Sequence, residues 1–263
     1  MSSRTIRKGY ADSVNGQVHF RSCGAGEASL MCLHPAPFSG LTFGTVLPML
    51  AEGRTVIAPD YPAHGGSDPL EGIPTIVSYA QTMLDAFPGK HDLMGFHTGC
   101  LVAAEMSLAA PERIGKLIML DPPGFERETR AELLMENGAP PHFDEDLAAL
   151  SPFWERAVTR RAAYQSLEER LALFAEMMRG GKRMNEAFHA GFSYPLEDRL
   201  PKVRHETAVI ATGGPLAEAA KRASELMENA AFIDRADIVG SALDANAQQT
   251  ASAILEVLIS NEI

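Results

Sequence analysis

The sequence predicts an α/β protein with a mostly parallel central sheet flanked by helices. Short apolar segments alternate with longer helical patterns through the first half of the chain, which is typical of strand–helix units. These segments are bounded by Gly, Pro or Asp, as expected of parallel strands covered on both faces. From about residue 125 to residue 202 the pattern changes to charged, Met-rich helical segments such as SLEERLALFAEMMR. This change predicts a helical insertion within the α/β core.

The strands can be placed one by one. Asn15-Gly16 is a strong signal for a two-residue turn, so the segment from Ile6 to Phe20 predicts a hairpin. Brief apolar runs predict six further strands at residues 29–33, 55–58, 91–94, 116–120, 207–211 and 230–233.

The helices predicted between these strands have the length of crossover connections. Pro74 suits a helix start, Pro111 ends a helix, and Asp244 is the expected N-cap of the closing helix. The predicted helices cover residues 40–51, 74–87, 98–110 and 245–259. We therefore predict a core domain of residues 1–124 and 203–263 and a helical domain of residues 125–202.

Composition restricts the possible partners. A net charge of −11 over 263 residues argues against nucleic acid or an anionic membrane surface as a partner. The N-terminal segment MSSRTIRKGYAD lacks an apolar signal region, and no run reaches the roughly 18 apolar residues that span a bilayer. Cys23, Cys32 and Cys100 are expected to be buried thiols in a reducing compartment. We expect a cytoplasmic monomer or homodimer that binds a small molecule and needs neither cofactor nor metal.

Four motifs occur in an order that resembles the α/β-hydrolase superfamily across nearly the whole chain. LHPAPFSG is similar to the family's H-G-x-P loop, and DYPAHGGSD to its D-x-P-G-H-G-x-S-D turn, with Ala63 at the first glycine. GFHTG stands where the family has the G-x-S-x-G turn that presents a serine nucleophile. PERIGKLIMLDPPG resembles the stretch through the sixth strand. The resemblance implies an α/β-hydrolase fold with residues 125–202 as its helical cap.

The catalytic positions that the resemblance implies hold other residues in this sequence. His97 replaces the serine nucleophile. Gly213 and Gly214 stand where the acid follows the seventh strand, and Ile238 stands where the histidine follows the eighth. The usual Ser-His-Asp relay therefore cannot be assembled, and ordinary serine-esterase chemistry is not expected.

His97 is the main catalytic candidate. A turn of this type projects its side chain into the pocket and requires backbone dihedrals that a non-glycine residue adopts only under constraint. The following helix N-terminus disfavours imidazolium, and a neutral imidazole can accept a proton or attack a carbonyl. The alternative is a site that has lost its serine, in which the ring fills space or binds a ligand.

Further residues are assigned by their place in the motifs. Asp121 either orients the His97 ring or caps the turn before Pro122, and the cap is favoured. The backbone N–H groups of Ala36 and Thr98 match the family's oxyanion hole. Ser39 either faces the same cavity or is the N-cap of the next helix, and again the cap is favoured.

The histidines and aromatic residues nearby have more than one interpretation. His34 and His64 belong to loop motifs in which structural hydrogen bonds are usual, although a metal site with His97 is a minor alternative. His34 is also a candidate substrate contact, as is Trp154. In the insertion, large apolar residues either form its core or wall an apolar pocket above His97: Phe143, Phe153, Trp154, Phe174, Met177, Met178, Phe188 and Phe192.

Together these assignments predict an enzyme acting on a small, fairly apolar organic carbonyl compound. Ester, lactone or carbon–carbon bond cleavage would each use His97 and an oxyanion site. The alternative function is a small-molecule binder that kept the pocket and lost the chemistry.

Overall fold

The computed structural model describes residues 5–260, so residues 1–4 and 261–263 of the predicted core domain lie outside the described residues. One eight-stranded sheet has the order β1-β2-β4-β3-β5-β6-β7-β8. Its strands are β1 Arg7–Ser13, β2 Gly16–Gly24, β3 Ser29–Leu33, β4 Thr55–Pro59, β5 His91–Phe96, β6 Ile114–Leu120, β7 Thr207–Thr212 and β8 Ala230–Arg235. The predicted hairpin is confirmed: β1 and β2 are antiparallel, while β3 to β8 pair in parallel.

The helices lie between and after these strands. Their bounds are α1 Leu47–Leu50, α2 Ile76–Ala86, α3 Thr98–Ala109, α4 Arg127–Asn137, α5 Ser151–Trp154, α6 Leu167–Arg179, α7 Glu186–Phe192, α8 Leu196–Arg199, α9 Ala217–Glu225 and α10 Ala247–Ile259. A π-helical turn, Glu155–Thr159, continues α5, and several short 3-10 turns connect the others.

Three helix predictions need correction. The helix predicted over residues 40–51 is a 3-10 turn, Gly40–Phe43, followed by the separate α1. Helix α10 begins after Asn246, and the Asp244 carboxylate instead accepts hydrogen bonds from Ser241 and Gln165. Helix α9 was not predicted, because its short Ala-rich segment is apolar on only one narrow face.

The central strands are covered on both faces, as their continuous apolar sequences predict. In β3, Met31 and Leu33 join the core cluster under α2 and α3, whereas Leu30 and Cys32 join the cluster under α1 and α10. This alternation follows from the two-residue repeat of a strand. All three cysteines are buried thiols. No helix among residues 5–260 is long and apolar enough to cross a membrane.

Residues 125–202 form helices and turns only, which we call the helical insertion. It is joined to the core by buried polar contacts. Arg199 donates two hydrogen bonds of 2.6 Å to the buried Glu105 carboxylate on α3, and Tyr194 donates a third. Arg21 on β2 is bonded to Glu176 on α6 at 2.9 Å. Breaking such buried pairs is costly, so these contacts fix the insertion over the carboxyl ends of the strands.

One turn in the core holds an alanine in a backbone conformation that favours glycine. Ala63 lies in the loop after β4 with φ 66°, in the left-handed region that favours glycine. Its N–H is nevertheless held by the Asp68 carbonyl at 3.2 Å. The turn therefore keeps its shape at an energetic cost.

We predict that Ala63→Gly stabilises the protein by about 0.5–1 kcal/mol, because relief of the left-handed strain exceeds the extra chain entropy of glycine. Ala131→Gly, at an exposed position of α4, is the matched control and should destabilise by about 1 kcal/mol. Urea unfolding of both variants measures the difference. A loss of stability in Ala63→Gly would show that the turn is not strained.

Candidate active site

The turn from β5 into α3 presents His97 as the sequence predicts. His97 follows β5 directly and has φ 49° and ψ −117°, so the predicted strained backbone is confirmed. The two glycines of the motif permit this turn. A Cβ atom on Gly99 would lie 2.0 Å from the Leu33 carbonyl oxygen, and one on Gly95 would lie 2.4 Å from the Cys100 nitrogen. Helix and strand can approach this closely only because both positions are glycine.

The His97 ring faces a cavity of about 390 Å³. Its centroid lies 3.9 Å from that of Phe96. Among residues 5–260 no side chain or carbonyl is hydrogen-bonded to either ring nitrogen. Burial, followed by the positive charge of Arg161, lowers the pKa of His97 from 6.5 to about 3. The ring is therefore neutral at physiological pH, as predicted, although the main cause is burial and not the helix dipole alone.

The cavity lies at the carboxyl ends of the parallel strands, where ligands bind in open α/β sheets. Its volume is near the lower end of the roughly 300–1,000 Å³ that is usual for ligand pockets. Loops following β3, β5, β6, β7 and β8 line it, together with Arg161, Tyr164 and Gln165 of the helical insertion. Gly213 and Gly214 line it where the resemblance implies the acid, while Ile238 is fully buried in the core.

Asp121 lines the same cavity, but its contacts are with β7. One carboxylate oxygen accepts the Thr212 N–H and the other accepts the Thr212 hydroxyl, each at 2.7 Å. Burial raises the pKa of Asp121 despite these hydrogen bonds. These contacts join the ends of β6 and β7 and are not the local cap of the turn before Pro122 that the sequence favours. A part in orienting His97 stays a prediction.

The predicted oxyanion site consists of two backbone N–H groups, those of Ala36 and Thr98. Ala36 lines the cavity and precedes a cis peptide bond to Pro37. In the described part of the chain neither the Ala36 N–H nor the Thr98 N–H has a protein acceptor. Helix α7 covers the same turn, since a Cβ on Gly191 would be 3.3 Å from the Thr98 methyl group. Thr98 follows His97 directly but is not among the described residues that line the cavity, so the use of these two N–H groups as an oxyanion site stays a prediction.

His34 is structural. The Tyr61 N–H donates to His34 Nε2 at 3.0 Å, so the proton must be on Nδ1, which donates to the Pro35 carbonyl at 3.0 Å. Both ring nitrogens are occupied and the ring is fully buried, which leaves no contact for a substrate. His64 Nδ1 is likewise bonded to the Pro62 carbonyl. No cluster of three metal-binding side chains occurs among residues 5–260.

Ser39 and Trp154 also lie outside the cavity. Ser39 is the fully buried N-cap of the 3-10 turn, as favoured, with its hydroxyl accepting the Leu41 N–H. Trp154 is 42% exposed and packs edge-on against Phe174. The apolar lid predicted above His97 is corrected too, because its Met and Phe residues pack within the insertion and on the core. The insertion side of the cavity is instead polar.

Sequence reasoning missed the insertion's contribution to the site. Arg161, Tyr164 and Gln165 follow the π-helical turn in a segment without motif or periodicity. Only the folding of this segment over the loop after β8 brings them to the cavity. Two adjacent arginines, Arg160 and Arg161, were the available signal, but the sequence does not show which of them points inward.

The sheet order, the strained turn after β5 and the cavity at the strand ends define an α/β-hydrolase fold. The Alpha/beta hydrolase family model matches residues 30–249, so the chain belongs to the α/β-hydrolase family.

Individual relatives are more distant. Pimeloyl-[acyl-carrier protein] methyl ester esterase of Nitrosomonas europaea is 28% identical over 132 residues, which are 50% of this chain and 52% of that protein. 2-Hydroxy-6-oxo-6-phenylhexa-2,4-dienoate hydrolase of Burkholderia cepacia is 31% identical over 42% of each chain. The chain thus spans about half the length, or less, of the curated relatives it matches. Esterase EaEST of Exiguobacterium antarcticum has a TM-score of 0.77 at 17% identity, over 96% of this chain and 100% of that one, and shows the same fold.

We predict that the His97 ring stays neutral from pH 8 to pH 5, since its pKa is about 3. Because the unfolded chain takes up this proton near pH 6.5 and the folded chain does not, His97 makes the fold less stable as the pH falls from 6.5 toward 3. Long-range ¹H–¹⁵N NMR of the ring nitrogens, assigned with His97→Gln, measures protonation. His142, with an 86% exposed side chain, gives a solvent reference. Protonation of His97 above pH 5 would contradict the burial of the ring.

Proposed function

We propose that the protein is an enzyme that acts on a small, fairly apolar organic carbonyl compound, with His97 as its base or nucleophile. One observation carries the proposal: His97 is held in a strained turn with its neutral ring in the cavity, and neither ring nitrogen has a hydrogen-bond partner among residues 5–260. Strained backbone concentrates at functional sites. A neutral imidazole with an accessible lone pair can accept a proton or attack a carbonyl carbon.

The neighbouring backbone groups suit the same chemistry. As a nucleophile, a His97 nitrogen bonds to the carbonyl carbon while the π electrons move to oxygen. The Ala36 and Thr98 N–H groups would hold that oxyanion. Collapse would break the bond to the alcohol or enol oxygen, which takes the proton that the acylated imidazolium ring loses, and water would then hydrolyse the acyl-imidazole to the acid and return the neutral ring. As a base, His97 takes a proton from water, whose oxygen attacks the same carbon, and the imidazolium gives that proton to the leaving oxygen as the adduct collapses. Both routes need two hydrogen-bond donors at the oxyanion. The Ala36 and Thr98 N–H groups, which have no acceptor among the described residues, would supply them.

The relatives' names support a hydrolytic reaction, because they describe a methyl ester esterase and a dienoate hydrolase. Ester or lactone hydrolysis is therefore the preferred reaction type, with carbon–carbon bond cleavage a related possibility. We further propose that residues 125–202 act as a cap domain on a core of residues 1–124 and 203–263. This rests on the contribution of Arg161, Tyr164 and Gln165 to the cavity.

A second candidate function is a small-molecule binder without turnover. It is favoured by the lack of a partner for His97, since Asp121 is bonded to Thr212 and glycines stand in the loop after β7. Catalytic histidines are usually oriented by such a partner. The two functions differ in what the loss of His97 should do.

We predict that His97→Ala lowers kcat by about 100-fold or more, the usual scale for a general base, while ligand-induced thermal stabilisation is largely kept. Substrates are found by incubating the wild type with a panel of methyl esters, lactones and oxo acids and following products by mass spectrometry. His142→Ala, at an exposed site in the insertion, is the control and should leave kcat unchanged. Intact turnover in His97→Ala would refute the site. Tight ligands that the wild type never turns over would favour the binder.

We also predict that fluorophosphonate probes do not label the protein and that p-nitrophenyl esters are hydrolysed poorly. The strained turn carries no serine, and Ser39 is buried as a cap. Intact-mass spectrometry after incubation measures labelling, with a commercial serine esterase as the positive control. Stoichiometric labelling of any serine would overturn the assignment of His97.

A further inference from the structure

Arg161 lies on the insertion side of the cavity that His97 faces. It follows the π-helical turn, and its guanidinium carbon is 4.7 Å from the centre of the Phe38 ring. This cation–π contact holds the side chain over the cavity. The preceding residue, Arg160, is exposed and paired with Glu155. Only one of two consecutive arginines is therefore directed into the site.

The Arg161 guanidinium has no hydrogen-bond acceptor within the described part of the chain. Its Nε is buried without a partner. The Nε of Arg21 is also unpaired, but the terminal nitrogens of Arg21 are bonded to Asp60 and Glu176, and those of Arg130 to Glu197. A buried charge without a partner is strongly disfavoured, and burial accordingly lowers the pKa of Arg161. The contact with Phe38 and the nearby charge of Asp244 offset part of this cost, but no hydrogen bond within the described residues does so.

The carboxylates around Arg161 are engaged elsewhere. Asp244 Oδ2 accepts hydrogen bonds of 2.6 Å from both Gln165 and Ser241, and Asp244 forms no ion pair with Arg161. Asp121, which also lines the cavity, is bonded to Thr212. His97 is neutral and so gives no negative charge to pair with Arg161. The donors of Arg161 therefore face the ligand space.

We propose that Arg161 binds a carboxylate group of the ligand, so that this cavity takes small carbonyl compounds that also carry a carboxylate. A guanidinium matches a planar carboxylate with two parallel hydrogen bonds. Phe38 and Phe96 supply apolar wall between this anchor and His97. Placement of the reacting carbonyl at His97 rests on the proposed function, whereas carboxylate binding by Arg161 does not require turnover.

The test compares matched anions and amides as probes. Phenylacetate, 3-phenylpropionate and hexanoate are titrated against their primary amides by calorimetry and thermal shift at low ionic strength. The wild type should bind at least one acid about 10-fold or more tightly than its amide. Arg161→Met keeps the apolar contact with Phe38 and should lose that preference, a roughly 10- to 100-fold weakening for charged hydrogen bonds. Arg161→Lys should restore part of it.

Controls separate this proposal from the proposed function. Arg160→Met removes a neighbouring positive charge and should leave all affinities unchanged. His97→Ala should keep the preference for acids, because this preference depends on Arg161. Intact turnover in His97→Ala would refute the proposed function but not carboxylate binding. Absence of any preference for acids in the wild type, or an unchanged preference in Arg161→Met, would refute carboxylate binding alone.

Thermal stability without ligand gives an independent readout. If Arg161 serves a ligand, Arg161→Met should unfold at the same or a higher temperature than the wild type, because a charge without a partner has been removed. Arg130→Met, which breaks the pair with Glu197, should unfold at a lower temperature. A comparable loss of stability in Arg161→Met would show a structural role and overturn the proposal.

Discussion

The close approach of α3 to β3 and β5 is the constraint on which the site depends. Gly95 and Gly99 allow the chain to reverse within a few residues, and their replacement would place Cβ atoms inside backbone atoms of Cys100 and Leu33. Because the chain turns so sharply, His97 projects beyond the sheet with φ 49° and does not pack into the helix. The same turn leaves the first N–H of α3, that of Thr98, without an acceptor among the described residues. The placement of the ring at the cavity and the unpaired Thr98 N–H thus follow from one turn.

The polar groups around the cavity fall into two kinds. His34, Ser39 and Asp121 are buried and hydrogen-bonded within the protein, so they hold the loops in place. The side chains of His97 and Arg161 have no hydrogen bonds within the described part of the chain, although burial disfavours both of their charged forms. Buried polar groups are normally paired, so those left without partners mark where a ligand belongs. The groups with hydrogen-bond partners therefore hold the loops of the site in shape, and the groups without such partners are those that a ligand can contact.

The helical insertion changes the character of the site. The sequence left two interpretations of the Met and Phe residues of the insertion, and the structure favours the first: most of them form the insertion's own core or pack on the core domain instead of walling a pocket over His97. A small helical layer has little interior, so its large apolar residues are used to hold it together. The cavity instead receives Arg161, Tyr164 and Gln165 from a turn. A site expected to take fairly apolar carbonyl compounds therefore also contains a positively charged side chain.

The sequence by itself determined the sheet and the reactive turn. Strand predictions agree with β3 to β8 to within two residues at each end, because buried parallel strands require continuous apolar runs bounded by turn residues. GFHTG predicted the strained turn through its similarity to G-x-S-x-G, and the structure shows that both glycines are required for the close approach of helix and strands. The tertiary structure alone decided which polar groups are paired: Asp121 with Thr212, Asp244 with Gln165 and Ser241, and Arg161 with none. Each of these contacts joins residues far apart in the chain or depends on which way a side chain points, and no local pattern records either.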